Sequence, residues 1–233
     1  HDTQRVPVDR FILPSQLCDP HNRDAIANAL QEDDAQIPEK FKPCYYNYQN
    51  VHHRFYLKQI NLLGQLCFLF YFFADWFLLP DISFISGLSR VVAVLGFVIL
   101  NMLMFKYCKN IVILDLLLPI SSACGAAIWF WLLSQSHSPN VNQYQYASVI
   151  FLLLGCLSIH VRFRPAVLTA LLISMVIIGG ILSINNNQQV IIFLLVYIPI
   201  LFFSLYVSWN NTLNARRAFL RSMLKEWDRH LLR

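Results

Sequence analysis

The sequence predicts an all-α fold: a six-helix transmembrane bundle with a cytoplasmic N-terminal segment and a C-terminal amphipathic, coiled-coil signalling helix. Of its 233 residues, 57% are hydrophobic and only 13% are charged, whereas a soluble domain has roughly a quarter charged residues. Six apolar runs fill most of the stretch from Leu57 to Ser208, and a helix needs roughly 20 apolar residues to cross a hydrocarbon core. The last run continues without a break into a charged segment. We therefore divide the chain into an N-terminal segment (1–56), a membrane domain (57–208) and a C-terminal helix (209–233).

The predicted spans follow the apolar runs closely. They cover about Leu57–Leu79, Val91–Tyr107, Ile111–Leu133, Tyr146–Val161, Ala166–Ile184 and Val190–Ser208. The fourth span is the shortest, so we expect it to cross nearly upright or to use its flanking residues.

Basic residues in the short loops predict the orientation of the bundle. The loops after the second and fourth spans hold Lys106, Lys109, Arg162 and Arg164. The opposite loops hold only Arg90, which we expect beside Asp81 in a loop. Because cytoplasmic loops carry an excess of Lys and Arg, these two basic loops and both termini are predicted to be cytoplasmic, and their bases to face anionic lipid headgroups.

The N-terminal segment is polar and contains several prolines. Asp19 and Pro20 form a favourable N-cap and first-turn pair, which predicts one short surface helix ending near Asp34. From Pro38 to Lys58 the sequence mixes aromatic and basic residues, a composition typical of a segment at the headgroup boundary. We expect this stretch to lead straight into the first span.

The C-terminal helix carries an apolar seam with heptad spacing. Its members are Leu213, Leu220, Leu224, Trp227 and Leu231. Such a/d spacing predicts a parallel homodimer through this helix, although a single amphipathic helix on an anionic membrane would show the same flanking bases, Arg216 and Arg217 among them. Pro199, in the last span, is expected to kink the helix where two arrangements could differ little in energy; ordinary packing explains it equally well.

Polar side chains inside predicted spans are functional candidates because burying them in lipid is costly. Asp75 is predicted to contact a ligand or cation, and Asp115 to form a hinge or a proton-linked pair with Lys106 or Arg162. Each could equally be an interfacial carboxylate satisfied by a base or by backbone. Asn101 is expected to form a hydrogen bond across helices.

No catalytic, metal or cofactor site is predicted within the chain. His160 is the only histidine in a predicted span, whereas haem ligation between helices commonly takes two imidazoles. His52 and His53 are expected to contact headgroups or solvent. There is no HExxH, GxSxG or Walker motif in the sequence. The six cysteines lie far apart and are predicted to be buried small hydrophobic residues. They are Cys18, Cys44, Cys67, Cys108, Cys124 and Cys156.

Three stretches resemble the membrane-associated sensor (MASE-like) regions that precede bacterial GGDEF domains. They are residues 55–59 (FYLKQ), 69–72 (LFYF) and 75–81 (DWFLLPD), and residues 214–220 (NARRAFL) are similar to the signature with which such regions run toward the catalytic domain. The resemblance implies a non-catalytic input domain of a diguanylate cyclase, which makes cyclic di-GMP from GTP, in the bacterial inner membrane. It implies that GTP and Mg bind only to an output domain outside these residues. By the same resemblance Asp75 and Asp81 are structural or ligand-sensing positions, and Arg216, Arg217 and Phe219 belong to the output helix.

Other interpretations of the same pattern remain. Adenylate cyclases and histidine kinases carry comparable membrane anchors. A stand-alone small-solute transporter or channel would need a polar path through the bundle, and a lipid-modifying enzyme would need a second catalytic group beside Asp75 or Asp115. The lipid bilayer is the expected partner, and nothing in the sequence favours nucleic acid.

Overall fold

The computed structural model of the protein is all-helical, as the sequence predicts. It describes residues 20–231, with side chains as far as Arg229, and these residues contain α-helices, short 3-10 turns and no strand. The α-helices are α1 Pro20–Gln31, α2 Lys42–Leu78, α3 Ser83–Tyr107, α4 Ile111–Leu114, α5 Leu117–Gln135, α6 Val141–Tyr144, α7 Val149–Leu157, α8 Phe163–Ile184 and α9 Asn187–Leu231. Asp19, Cys18 and the side chain of Leu231 lie outside the described residues.

In the described part of the chain, five helical segments are long and apolar enough to cross a membrane. They are Arg54–Leu78, Pro80–Tyr107, Ile111–Gln135, Phe163–Ile184 and Asn187–Arg229. The predicted fourth span is the exception, because α6, a 3-10 turn and α7 together cover only 141–157. At helical rises this stretch is about 27 Å long, slightly less than a hydrocarbon core of about 30 Å. A sixth crossing therefore stays a prediction.

Three boundaries differ from the sequence-based prediction. Helix α2 begins at Lys42 with a proline in its first turn, well before the predicted start of the span at Leu57, and it leads straight into the apolar segment Arg54–Leu78 as expected; the position of the stretch at the headgroup boundary stays a prediction. Helix α3 begins at Ser83 and includes Arg90, which was expected in a loop. The third span divides at Asp115 and Leu116 into α4 and α5. Pro119 explains the division, because its missing N–H cannot bond the carbonyl of residue 115.

Helix α9 is the longest element of the described chain. Its 45 residues run without interruption through Pro199, which is exposed, and through Trp209 into the charged segment. At 1.5 Å per residue the helix is about 67 Å long, roughly twice the thickness of the hydrocarbon core. The last apolar run and the charged segment are therefore one helix.

Two hydrophobic cores hold the bundle together. The first surrounds Trp129, Phe151 and Phe193 and extends to the turn at 79–82. The second lies at the opposite end and joins the N-terminal segment, the turns after α3 and α7, and the charged part of α9, for example through Phe41, Val161 and Phe219. We call this second end the basic end, because Lys106, Lys109, Arg162 and Arg164 lie in its turns or at the adjoining helix ends. Both described terminal segments thus lie at the same end; its cytoplasmic location stays a prediction.

Candidate functional site

The carboxylate of Asp75 lies one turn before the end of α2 and is almost fully buried. Ser86 donates a hydrogen bond to its Oδ2, the Nε of Arg90 donates another at 2.7 Å, and the hydroxyl of Tyr144 donates to its Oδ1 at 2.6 Å. Both oxygens therefore have donors from other helices. The carboxylate joins α2, α3 and α6, and the geometry supports the interpretation that Asp75 is satisfied by a base.

Arg90, only 1% exposed, is the charge partner of Asp75. Its NH1 group donates to the carbonyl of Phe68 at 2.9 Å, and its guanidinium lies 4.6 Å from the centroid of the Phe68 ring and 5.3 Å from the Trp129 ring. Contacts with aromatic faces stabilise a desolvated guanidinium. The expected position of Arg90 beside Asp81 is wrong, because α3 carries Arg90 inward toward Asp75.

Asp81 is exposed and holds two loops together. Its carboxylate accepts hydrogen bonds from the hydroxyl of Ser136 and from the backbone N–H of His137, both at 2.9 Å. These bonds tie the turn after α2 to the turn after α5. A structural role is what this geometry supports.

Asp115 occupies the interruption between α4 and α5 at the basic end. Its Oδ2 accepts hydrogen bonds from the backbone N–H groups of His160 and Val161 at 3.2 and 3.1 Å. Its Oδ1 lies 3.6 Å from the Nε2 of His53, and neither of these two atoms has a hydrogen-bond partner among the described residues. The predicted partners Lys106 and Arg162 are wrong, because the break in the helix turns the carboxylate toward the turn after α7 and toward α2.

Two histidines meet beside Asp115. The rings of His53 and His160 lie 4.8 Å apart, and the Nδ1 of His160 lies 3.0 Å from the carbonyl of Ser158, so this nitrogen carries a proton. Burial lowers the pKa of His160, and the neighbouring His53 lowers it further. The structure places His160 beyond the end of α7 rather than inside a span. A proton added at His53 would convert the contact with Asp115 into an ion pair.

Asn101 does not form the expected bond across helices. Its side chain is buried but has no hydrogen-bond partner among the described residues, and it lines a cavity of about 210 Å³ with Lys58 and Asn61. Within residues 20–229, no three His, Cys, Asp or Glu side chains are grouped so that they could hold a metal ion.

The apolar seam of the C-terminal helix is covered by the N-terminal segment of the same chain. Leu220 is fully buried and Trp227 is 3% exposed, whereas Leu213 and Leu224 are partly buried. These side chains share the second core with Ile26 of α1. The seam also includes Phe219, which the heptad assignment left out: it is fully buried and its ring lies 5.3 Å from those of Tyr45 and Tyr48.

Polar contacts close the edges of the same interface. Arg216 and Arg217 donate to the backbone carbonyls of Asp34 and Asp33, both at 3.2 Å. Arg23 of α1 forms an exposed ion pair with Asp228 at 3.0 Å. The N-terminal segment therefore packs along the charged half of α9 through apolar contacts in the centre and polar contacts at the rim.

Comparisons with known proteins give no relative: no protein family, curated protein or solved structure matches the chain. The described residues, 20–231, define an all-α fold with five helices long and apolar enough to span a membrane.

Proposed function

We propose that the chain is the membrane-embedded input domain of a signalling enzyme and that α9 passes a change in the bundle to an output domain. The observation that carries this proposal is the continuity of α9 from Asn187 to Leu231. A helix without a break transmits a rotation or shift of its membrane half directly to its charged half. A diguanylate cyclase is the output enzyme we propose first, on the resemblance of residues 55–81 and 214–220.

Regulation in this proposal depends on what covers the seam of α9. With the N-terminal segment packed against Leu220 and Trp227, the seam is closed to a second copy. Release of the segment would free the same face for parallel pairing in a homodimer. A stimulus that binds one arrangement more tightly by a few kcal/mol would shift the population between the two.

The test is a fusion of residues 1–233 to a GGDEF output domain, with cyclic di-GMP measured in cells. Leu220→Asp places a charge in the closed seam and should change the nucleotide level several-fold, because it disrupts both packing of the N-terminal segment and pairing of two α9 helices. Lys225→Asp is the matched control, because Lys225 is exposed on the same helix. Equal nucleotide levels in the fusion and both variants, at equal membrane insertion, would refute the proposal.

A flux assay in liposomes separates this proposal from the transporter hypothesis. The cavity between α2, α5 and α7, lined by Gly64, Ser121 and Gly125 among others, has a volume of about 30 Å³, which is room for roughly one or two water molecules. The larger cavity of about 210 Å³ beside Asn101 is lined by residues of α2 and α3 alone. We therefore expect no solute flux above that of empty liposomes. Measurable flux of a small solute would favour transport instead.

A further inference from the structure

We propose that a cleft at the basic end binds a phosphate-bearing anion, with the headgroup of an anionic phospholipid as its membrane source. The cleft has a volume of about 420 Å³ and lies between the N-terminal segment, the start of α8 and the charged part of α9. This binding site stands independently of the proposed signalling function, because it requires only that the cleft hold an anion.

The charged side chains that line the cleft are all basic. Its lining includes four bases, Lys42, Arg162, Arg164 and Arg216, and no acidic side chain among the described residues that form it. Lys42 forms an ion pair with the exposed Glu39 at 2.8 Å, so its charge is partly balanced. Arg162 and Arg164 are exposed and have no ion-pair partner within the described chain. Guanidinium groups recognise phosphate oxygens in a bidentate geometry, which is why arginine is favoured at phosphate sites.

The start of α8 adds backbone donors to the same cleft. Arg162 is the N-cap residue, and no side chain caps this helix. The first N–H groups of a helix lack intrahelical partners and lie at the positive end of its dipole, where anions are stabilised. Phe163 and Arg164, the first two residues of α8, both line the cleft. An anion held by the two arginines would therefore also lie close to free backbone donors.

Contacts around the cleft fix its walls in place. The ring of Phe163 lies 5.1 Å from that of Trp209 on α9, and the guanidinium of Arg216 lies 5.6 Å from the Trp209 ring. The hydroxyl of Tyr45 donates to the carbonyl of Val161 at 3.0 Å. Because the three walls are joined before any anion binds, little ordering is needed on binding.

The position of the cleft favours a lipid source. Trp209 lies where the apolar part of α9 ends, and aromatic residues with adjacent bases are typical of the lipid headgroup level. Anionic headgroups attract basic clusters at this depth. A soluble phosphate would use the same arginines, so the two sources are distinguished by experiment.

The experiment uses the purified full chain in neutral detergent and measures the shift in unfolding temperature with three probes: short-chain phosphatidylglycerol, short-chain phosphatidylcholine and inorganic phosphate. Phosphatidylglycerol should stabilise the protein, phosphatidylcholine should not, and the stabilisation should weaken as salt is added. The double variant Arg162→Gln/Arg164→Gln should bind phosphatidylglycerol at least about tenfold more weakly, a loss of about 1.4 kcal/mol. Lys106→Gln/Lys109→Gln is the matched control, because it removes two bases from the other loop at the same end.

Each outcome decides the question. Stabilisation by phosphatidylglycerol alone, lost in the arginine variant, supports the site with a lipid source. Stabilisation by inorganic phosphate as well, lost in the same variant, supports the site with a soluble source. Equal effects of the anions on the parent chain and on both double variants would overturn the proposal. Because Arg162 and Arg164 are exposed, their replacement should leave the unfolding temperature without anions unchanged, which separates lost binding from misfolding.

Discussion

Two adjacent glycines of α8 have different surroundings, and this difference predicts different effects of alanine on stability. A Cβ atom added to Gly180 would lie 2.3 Å from the Cγ and 2.7 Å from the Cβ of Phe130 on α5. A Cβ added to Gly179 would meet nothing within 4 Å. The contacts at Gly180 involve the base of the Phe130 side chain rather than its flexible end. Helices α5 and α8 would therefore have to separate, or Phe130 would have to leave its position.

The magnitude follows from two opposing terms. Replacing a glycine inside a helix by alanine gains up to about 1 kcal/mol from helix propensity, and this gain applies equally at both positions. Overpacking of a close contact costs typically about 1–3 kcal/mol. We therefore expect Gly179→Ala to be neutral or stabilising and Gly180→Ala to be less stable than Gly179→Ala by about 1–3 kcal/mol.

The assay is thermal or denaturant unfolding of the two variants in the same detergent. Comparison of one variant with the other cancels the propensity term, so the difference reports the contact with Phe130 alone. Phe130→Ala in the Gly180→Ala background gives a further check: it removes the contacts with the ring but keeps the Cβ at 2.7 Å, so the penalty for the added methyl group should become smaller without vanishing. Equal stabilities of Gly179→Ala and Gly180→Ala would refute the packing that the structure gives to α5 and α8.

Three other predictions follow from named contacts. Arg90→Met should destabilise the bundle by about 3–5 kcal/mol because it leaves the buried Asp75 carboxylate without its charge partner, and adding Asp75→Asn should recover part of that loss in detergent unfolding. Ile26→Ala should cost about 2–5 kcal/mol and speed hydrogen exchange in α1, whereas Arg23→Ala, which breaks only an exposed ion pair, should cost less than about 1 kcal/mol. Because burial lowers the pKa of His160 below its ordinary value of 6.5, the unfolded state takes up the proton first as pH falls. Between about pH 7.5 and 5.5 the parent chain should therefore lose more stability than His160→Gln.

Each of these predictions has an outcome that contradicts it. A cost below about 1 kcal/mol for Arg90→Met, or costs that simply add in the double variant, would show that the Asp75 pair is not coupled. Equal exchange rates in Ile26→Ala and Arg23→Ala would show that α1 is not held by its apolar face. Parallel pH profiles of the parent and His160→Gln would show that burial does not penalise the charged imidazole.

The helices were predictable because their causes are local. Long apolar runs produced the spanning helices, and the absence of Gly or Pro between Trp209 and Arg233 allowed α9 to continue past the membrane. The division of the third span also has a local cause, Pro119. The boundaries of α2 and α3 were misplaced because hydropathy marks where a helix enters lipid, not where helical hydrogen bonding begins.

The buried ion pair was missed although the sequence contains its signal. The turn between α2 and α3 covers 79–82. Asp75 lies four residues before this turn and Ser86 four residues after it, so the two residues lie at a similar distance from the end of the bundle. Arg90 lies one further turn along the same face. With the turn placed at 79–82, pairing lone charges that lie within one helical turn of each other in depth would have matched Asp75 with Arg90.

The cluster of His53, Asp115 and His160 and the cover over α9 could not be predicted in this way. The three residues of the cluster come from separate elements whose packing no periodic pattern specifies. Heptad spacing on α9 indicates that one face is buried. The same spacing is compatible with burial against a second copy, against lipid or against another part of the chain, so it does not identify what covers the face. The apolar residues of the N-terminal segment, such as Ile26 and Phe41, are too few to show a pattern of their own.

The two buried carboxylates differ in how firmly they bond to neighbouring helices. Asp75 has a donor on each oxygen and a paired guanidinium, so any movement of α2 against α3 and α6 would leave a buried charge unpaired. In Asp115, backbone N–H groups bond one oxygen, and the other oxygen lies 3.6 Å from His53 without a hydrogen bond. A small movement of α2 against α4 therefore breaks no hydrogen bond to this carboxylate. The same end carries the cover over α9 and the anion cleft. A movement of α2 against α4 at Asp115 therefore breaks fewer hydrogen bonds to a buried carboxylate than a movement of α2 against α3 at Asp75, and it lies at the end where α9 leads toward the output domain that we propose.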